Sequence, residues 1–332
     1  MTLMSRIYDK APKRATVGAV PEDQKWNFEA TLKSRQVEEL INLHWHRRLA
    51  FLVVRGLRHF PSISPNHVTL LAGFFGFLSA YSVWEAAPLI QEGVSGTGLM
   101  FLSAFLLLAS VVLDCSDGML ARLSGKSSPI GTLMDGFTDT FVVICLLSSL
   151  YHLFASAMAS AWTLPIMLFV AISLVVHTGL YDHYKGLYIS YIDPNVDSVA
   201  ELKSALVQED AGFVQKAFGA LYSNVYGLIF ALAGGHEEAE SEKSVSPELV
   251  SEALAPAMRK VSYVGLGTHM AVLYFTLILS AFSPTFALYF LVFTVGVVLN
   301  IWTILALKDW KRRELQLSDY HYLDHRVQLP AE

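Results

Sequence analysis

Four aspartates define the chemistry open to this 332-residue chain. Asp114 and Asp117 lie in the run 113–122, and Asp135 and Asp139 in the run 131–139. Read as helix, Asp114, Asp117, Gly118 and Ala121 stand at i, i+3, i+4 and i+7, which is one face. Gly131, Asp135 and Asp139 stand at i, i+4 and i+8, one stripe of a second helix. Residues 123–130 are too few to separate the two helices, so they are expected to be antiparallel neighbours with converging acidic faces. Such a cluster is unfavourable alone, because like charges repel until protons or cations neutralise them. Its donors are all oxygen, with no imidazole or thiolate, which suits a hard divalent cation such as Mg²⁺ or Mn²⁺. Two ions about 3.5–4 Å apart would suit displacement at phosphorus, steadying the attacking and leaving oxygens. Gly118, Ala121 and Gly131 keep bulk away from the carboxylates. Arg122, one turn beyond Gly118, offers a planar fork to phosphate oxygens.

The elements that hold these residues are apolar. The chain is 53% hydrophobic and 16% charged, against about 25% charge in a soluble domain. The charge is concentrated before residue 67, between 183 and 260, and after 307. A span needs roughly 20 mainly apolar residues, and six such segments are present: 67–87, 97–120, 131–155, 161–182, 262–282 and 286–307. The fold class expected is therefore all-α integral membrane, with the aspartates at the ends of spans two and three. An Asp at the bilayer centre costs about 2.5–3.5 kcal/mol, and less toward the interface. Residues 29–60 mix apolar, aromatic and basic side chains, which suits an amphipathic interfacial helix with Trp45 and the arginines at headgroup depth. Residues 1–25 read as a flexible arm, 183–260 as a cytosolic loop with an interfacial stretch at 221–232, and 308–332 as a cytosolic tail. The acidic run 237–242 reads as solvated. A net charge of -5 argues against nucleic-acid binding by a basic surface. Cys115 and Cys145 both sit in apolar stretches, where a disulfide framework is not expected. No signal peptide is expected, because residues 1–60 contain no apolar core with a cleavage site.

The pattern Asp-x2-Asp-Gly-x2-Ala-Arg-x8-Gly-x3-Asp-x3-Asp, running from Asp114 to Asp139, is filled at every fixed position. It resembles the signature of the CDP-alcohol phosphotransferases, also called CDP-alcohol phosphatidyltransferases. Pro65-Asn66-His67-Val68-Thr69 is similar to that family's entry to its first membrane helix. The resemblance implies a six-helix core and a cytosolic cavity. It also implies transfer of a substituted phosphoryl group from a CDP-linked donor to an alcohol acceptor, with release of CMP. By motif position, Asp114, Asp117, Asp135 and Asp139 would ligate two Mg²⁺ or Mn²⁺ ions. Asp139 would also be the general base. Gly118, Ala121 and Gly131 would line the cytidine-diphosphate site, Arg122 would contact phosphate, and Asn66 and Thr69 would face the nucleotide. The family is commonly homodimeric. Its members split between CDP-diacylglycerol with a small polar acceptor and a CDP-linked headgroup with diacylglycerol. Six spans resemble the first group.

Plainer readings stand beside these. Carboxylates within a membrane also mark the ion pathway of a transporter, but a pathway gives no reason for the spacing of Gly118, Ala121, Arg122 and Gly131. A catalytically silent scaffold would also keep the fold. Asn66 and Thr69 also fit the ordinary start of a helix after Pro65. His44 and His46 read as interfacial decoration. His177, Tyr181, Asp182, His183 and Lys185 read as a polar rim that borders the cavity, with an acceptor site as the sharper alternative. His269 and Asn300, inside spans five and six, read as interhelical hydrogen bonds.

Orientation follows from Lys and Arg, which are retained on the cytoplasmic side. The segments after spans one, three and five contain neither residue. Both termini and the acidic cluster are therefore expected to be cytoplasmic. A cysteine introduced at Gly93 should react with a membrane-impermeant thiol reagent from outside intact cells. Labelling only from the cytosolic side would invert the topology.

Overall fold

The computed structural model describes residues 27–32, 35–125, 129–192 and 246–327, and these are helical, with no strand among them. A short amphipathic helix, α1 (Arg47–Leu57), follows a π-helical turn at Asn42–His46. The first four long helices are α2 (Pro65–Gln91), α3 (Thr97–Ser124), α4 (Pro129–Met158) and α5 (Thr163–Ile192). After α6 (Pro247–Val261), α7 (Leu266–Ser280) completes a fifth pass. The sixth consists of α8 (Pro284–Leu291), a π-helical stretch Val292–Leu299, and α9 (Asn300–Val327). Among the described residues, six helical segments are long and apolar enough to cross a membrane. Their outward faces carry Phe74, Phe105, Ile144, Ile172, Phe293 and Ile304, all more than half exposed, as expected where lipid is the solvent.

The sequence gives these helices clear starts. Ser64 caps α2: its hydroxyl accepts from the His67 amide while the His67 ring accepts from the Ser64 amide, and Pro65 occupies the first turn. Ser246 and Ser283 cap α6 and α8 by accepting from the Leu249 and Phe286 amides, each followed by proline. Gly125, at φ +65°, closes α3 in the left-handed conformation that glycine adopts without steric cost. Gly93 also has a positive φ, +74°, so exposed Ser95 is the less strained position for the labelling cysteine. The helices at the charged end are longer than the apolar pattern predicts. Residues 183–192 continue α5, and 247–261 form α6, so the segment read as a loop is helical at both its ends. The stretches 1–25, 221–232 and 237–242 lie outside the described residues.

Helix α2 packs chiefly against α3 and α4. Close approach is built in at Gly76, where an added Cβ would stand 2.5 Å from Val142 and 3.0 Å from Ser110 Oγ. Small hydroxyls bind the same seam. Ser79 and Ser103 each donate to the other's carbonyl at 2.9 Å, and Ser110 donates to the Ala72 carbonyl at 2.8 Å. Such contacts replace the hydrophobic drive that lipid does not supply. The expected polar contacts of the later spans are present. His269 meets His177 at 3.1 Å, and Asn300 donates to Ser173 at 3.0 Å.

The N-terminal segment is bound far more deeply than an interfacial helix requires. Glu39 is 4% exposed and accepts from the Gly267 and Thr268 amides at 3.2 and 3.0 Å. It thereby satisfies the orphan donors of α7 from another part of the chain. Glu38 pairs with Arg47 at 2.9 Å. Arg259 donates to the Glu38 and Arg35 carbonyls, Tyr181 to the Val37 carbonyl, and Tyr188 to Gln36. His46 is not decoration: it is fully buried, and its Nδ1 lies 2.7 Å from Asn42 Oδ1. Burial holds its pKa down to about 4, so the ring is neutral at pH 7.

Burial raises the Glu39 carboxyl to about 7, and the two amide bonds offset only part of that shift. A pKa raised in the folded state favours folding below the unfolded value, near 4.5, and the gain is lost as pH climbs through 7. At roughly 1.4 kcal/mol per pH unit the change amounts to a few kcal/mol at most. The melting temperature in detergent should therefore fall between pH 4.5 and 7.5. In Glu39→Gln the part of the slope due to this group should vanish. Identical slopes in the two proteins would show that Glu39 does not titrate in this window.

Candidate active site

The last three turns of α3 and the first three of α4 carry the site. Oxygens of Asp114, Asp117 and Asp135 all lie within 4.8 Å of one another, so two facing helices contribute to one cluster. Asp139, one turn deeper along α4, is within hydrogen-bonding reach of Asp114. The spacing read from sequence thus brings all four carboxylates together. Asp117 is 5% exposed, and the other three are half-buried. Asp114, Asp117 and Asp139 form no ion pair among the described residues. Buried carboxylates at this separation repel strongly, since little water screens them. A converging, all-oxygen donor set fits a hard divalent cation.

Thr69 is placed by α2 and is 3% exposed. Its hydroxyl lies 2.5 Å from Asp117 Oδ2 and 3.2 Å from the Pro65 carbonyl. A hydroxyl has one proton to give, and the shorter contact to a carboxylate takes it. Thr69 therefore orients a carboxylate of the cluster. Asn66 is exposed on the first turn of α2 and makes no hydrogen bond among the described residues. The two residues of the Pro-Asn-x-x-Thr run are thus separated: one joins the acidic cluster and the other does not.

The Arg122 guanidinium lies over Gly118, where an added Cβ would stand 3.5 and 3.7 Å from its Nη1 and Nη2. Ala121 and Gly131 are half-buried on the two facing helices. Arg122 lies along the cluster's edge, and its Nε donates to the Thr31 carbonyl at 2.6 Å. Its Nη2 is buried and has no hydrogen-bond partner among the described residues. Nothing in the sequence pointed to Thr31, because the contact uses a main-chain carbonyl that any residue carries.

The rim residues of α5 are mostly committed to packing. His177 pairs with His269, Tyr181 binds the N-terminal segment, and His183 is 8% exposed against the Tyr184 ring. Lys185 sits 5.0 Å over the Tyr181 ring and 3.9 Å from Asp182. His177, Tyr181 and His183 are therefore core, not rim, whereas exposed Asp182 and half-buried Lys185 fit the rim reading.

Residues 62–194, which span α2 to α5 and hold all four aspartates, match the CDP-alcohol phosphatidyltransferase family. No curated protein matches the chain. Together with the six apolar helices and the converging carboxylates, the match identifies a domain of the CDP-alcohol phosphatidyltransferase family, metal-dependent transferases of substituted phosphate groups in phospholipid synthesis.

Proposed function

We propose that the protein transfers a phosphatidyl group from CDP-diacylglycerol to the hydroxyl of a small polar alcohol and releases CMP. The observation that carries this reading is the convergence of Asp114, Asp117 and Asp135, with Asp139 beside them. Six spans support the lipid-linked donor over a CDP-linked headgroup. On this reading both termini and the site face the cytosol.

Asp114, Asp117, Asp135 and Asp139 would hold two Mg²⁺ or Mn²⁺ ions. These ions would neutralise the donor's diphosphate and make its phosphorus more electrophilic. Thr69 keeps one Asp117 oxygen aimed by a hydrogen bond. Gly118, Ala121 and Gly131 leave room for the cytidine diphosphate. The free edge of Arg122 gives a donor to a phosphate oxygen. Asp139 takes the proton of the acceptor hydroxyl as its oxygen attacks the β-phosphorus. One P–O bond forms to the acceptor as the bond to the CMP oxygen breaks, so no further reactant is needed. Exposed Asn66 stands at the entrance to α2 and would contribute least.

The test is CMP release by purified protein in detergent, with each donor class and a panel of alcohols, the lipid product being identified by mass. Release should require a divalent cation and stop with chelator. Asp135→Asn or Asp139→Asn should lower it by at least about 100-fold, the lower end of what a positioned base contributes. Unchanged release in both variants would refute the mechanism. Ion uptake into liposomes that ignores cytidine nucleotides would point to a transporter instead.

A further inference from the structure

Residues 28–32 form a strap across the end of α3, where it meets Arg122, the residue proposed above to bind phosphate. Glu29–Thr31 is a single 3-10 turn. Thr31 is fully buried although its side chain is polar. Its hydroxyl donates to the Phe28 carbonyl at 2.5 Å and its amide to the same carbonyl at 3.0 Å. Phe28 meets Phe51 of α1 edge-to-face at 5.7 Å, and Arg48 lies 5.7 Å from its ring centre. Glu29 and Arg35 form an ion pair that closes the outer side of the strap. The turn is therefore held by packing as well as by its own hydrogen bonds.

The Thr31 carbonyl that this turn presents is taken by Arg122 Nε at 2.6 Å. An arginine side chain has four flexible torsions and loses much rotamer entropy when it binds. Fixing Nε fixes the plane of the guanidinium, because its donors form a rigid fork. Here that plane runs along Gly118, with Nη2 left buried and without a partner among the described residues. A buried guanidinium donor without an acceptor is costly, and a phosphate oxygen at the acidic cluster would satisfy it.

We infer that Thr31 is a positioning residue. Its main-chain carbonyl holds Arg122 in the orientation that binds the donor's diphosphate, so the N-terminal strap is part of the substrate site. The inference rests on the function proposed above. Without the strap, Arg122 remains charged and present but must be ordered by the ligand itself. The cost falls on binding, not on the chemical step.

Two variants test this in the full-length enzyme. Thr31→Pro removes the amide that closes the turn and displaces its carbonyl. Phe28→Ala removes the packing that seats the turn and leaves every strap amide in place. In each, KM for the CDP-linked donor and Kd for CDP should rise about 3- to 10-fold, while kcat stays within about 2-fold. With Arg122→Ala already present, neither variant should add a further change. A merely structural role would instead lower the melting temperature and kcat with KM unmoved. That result overturns the inference, as do strap effects that add fully to those of Arg122→Ala. A wild-type protein that binds CDP, with both variants unchanged, overturns the inference alone. A wild-type protein that binds no CDP overturns it together with the function on which it rests.

Discussion

Like charges held close together away from water are the constraint around which this protein is arranged. Three carboxylates bring oxygens within 4.8 Å of one another, and a fourth adjoins them. The protein does not neutralise Asp114, Asp117 or Asp139 with ion pairs among the described residues. The helices must therefore be forced together by contacts elsewhere. Glycine at 76 lets α4 close on α2, and paired serines tie α2 to α3. Thr69 gives Asp117 a hydrogen bond without supplying a charge. A rigid frame thus holds the carboxylates together, and protons or a divalent cation can relieve their repulsion.

Contacts distant in sequence also hold the N-terminal segment. Glu39 caps α7, Arg259 binds the Glu38 and Arg35 carbonyls to the bundle, and the Glu38–Arg47 pair ties the segment to itself. The strap around Thr31 then takes hold of Arg122. Acidic and basic functions of the site are thereby positioned by different parts of the chain. The aspartates depend on the spans, and the arginine depends on a turn that precedes them.

Much of this was legible because it rests on periodicity. The i, i+3 and i, i+4 spacings placed the carboxylates on facing helices, and apolar runs located the six spans. Sequence was weaker where one residue has two plausible uses. Thr69 reads equally as a helix start or a site residue, and its hydroxyl is in reach of both the Pro65 carbonyl and Asp117. His46 reads as surface in a basic stretch, yet Asn42 and burial make it core. Charge alone ended the predicted span four at 182, whereas buried Tyr184 and Tyr188 carry α5 on to Ile192. Glu39 and Thr31 were invisible, since each contact uses a backbone group and joins residues more than 90 positions apart. No local pattern encodes such contacts.

The central claim is that the four aspartates exist to share divalent cations. Locating Mn²⁺ by anomalous scattering in crystals of the purified protein tests it most directly. The account predicts two Mn²⁺ peaks about 3.5–4 Å apart, ligated by Asp114, Asp117, Asp135 and Asp139, both lost in Asp135→Asn. An empty cluster at saturating Mn²⁺, or a metal bound elsewhere while CMP release proceeds, would contradict it.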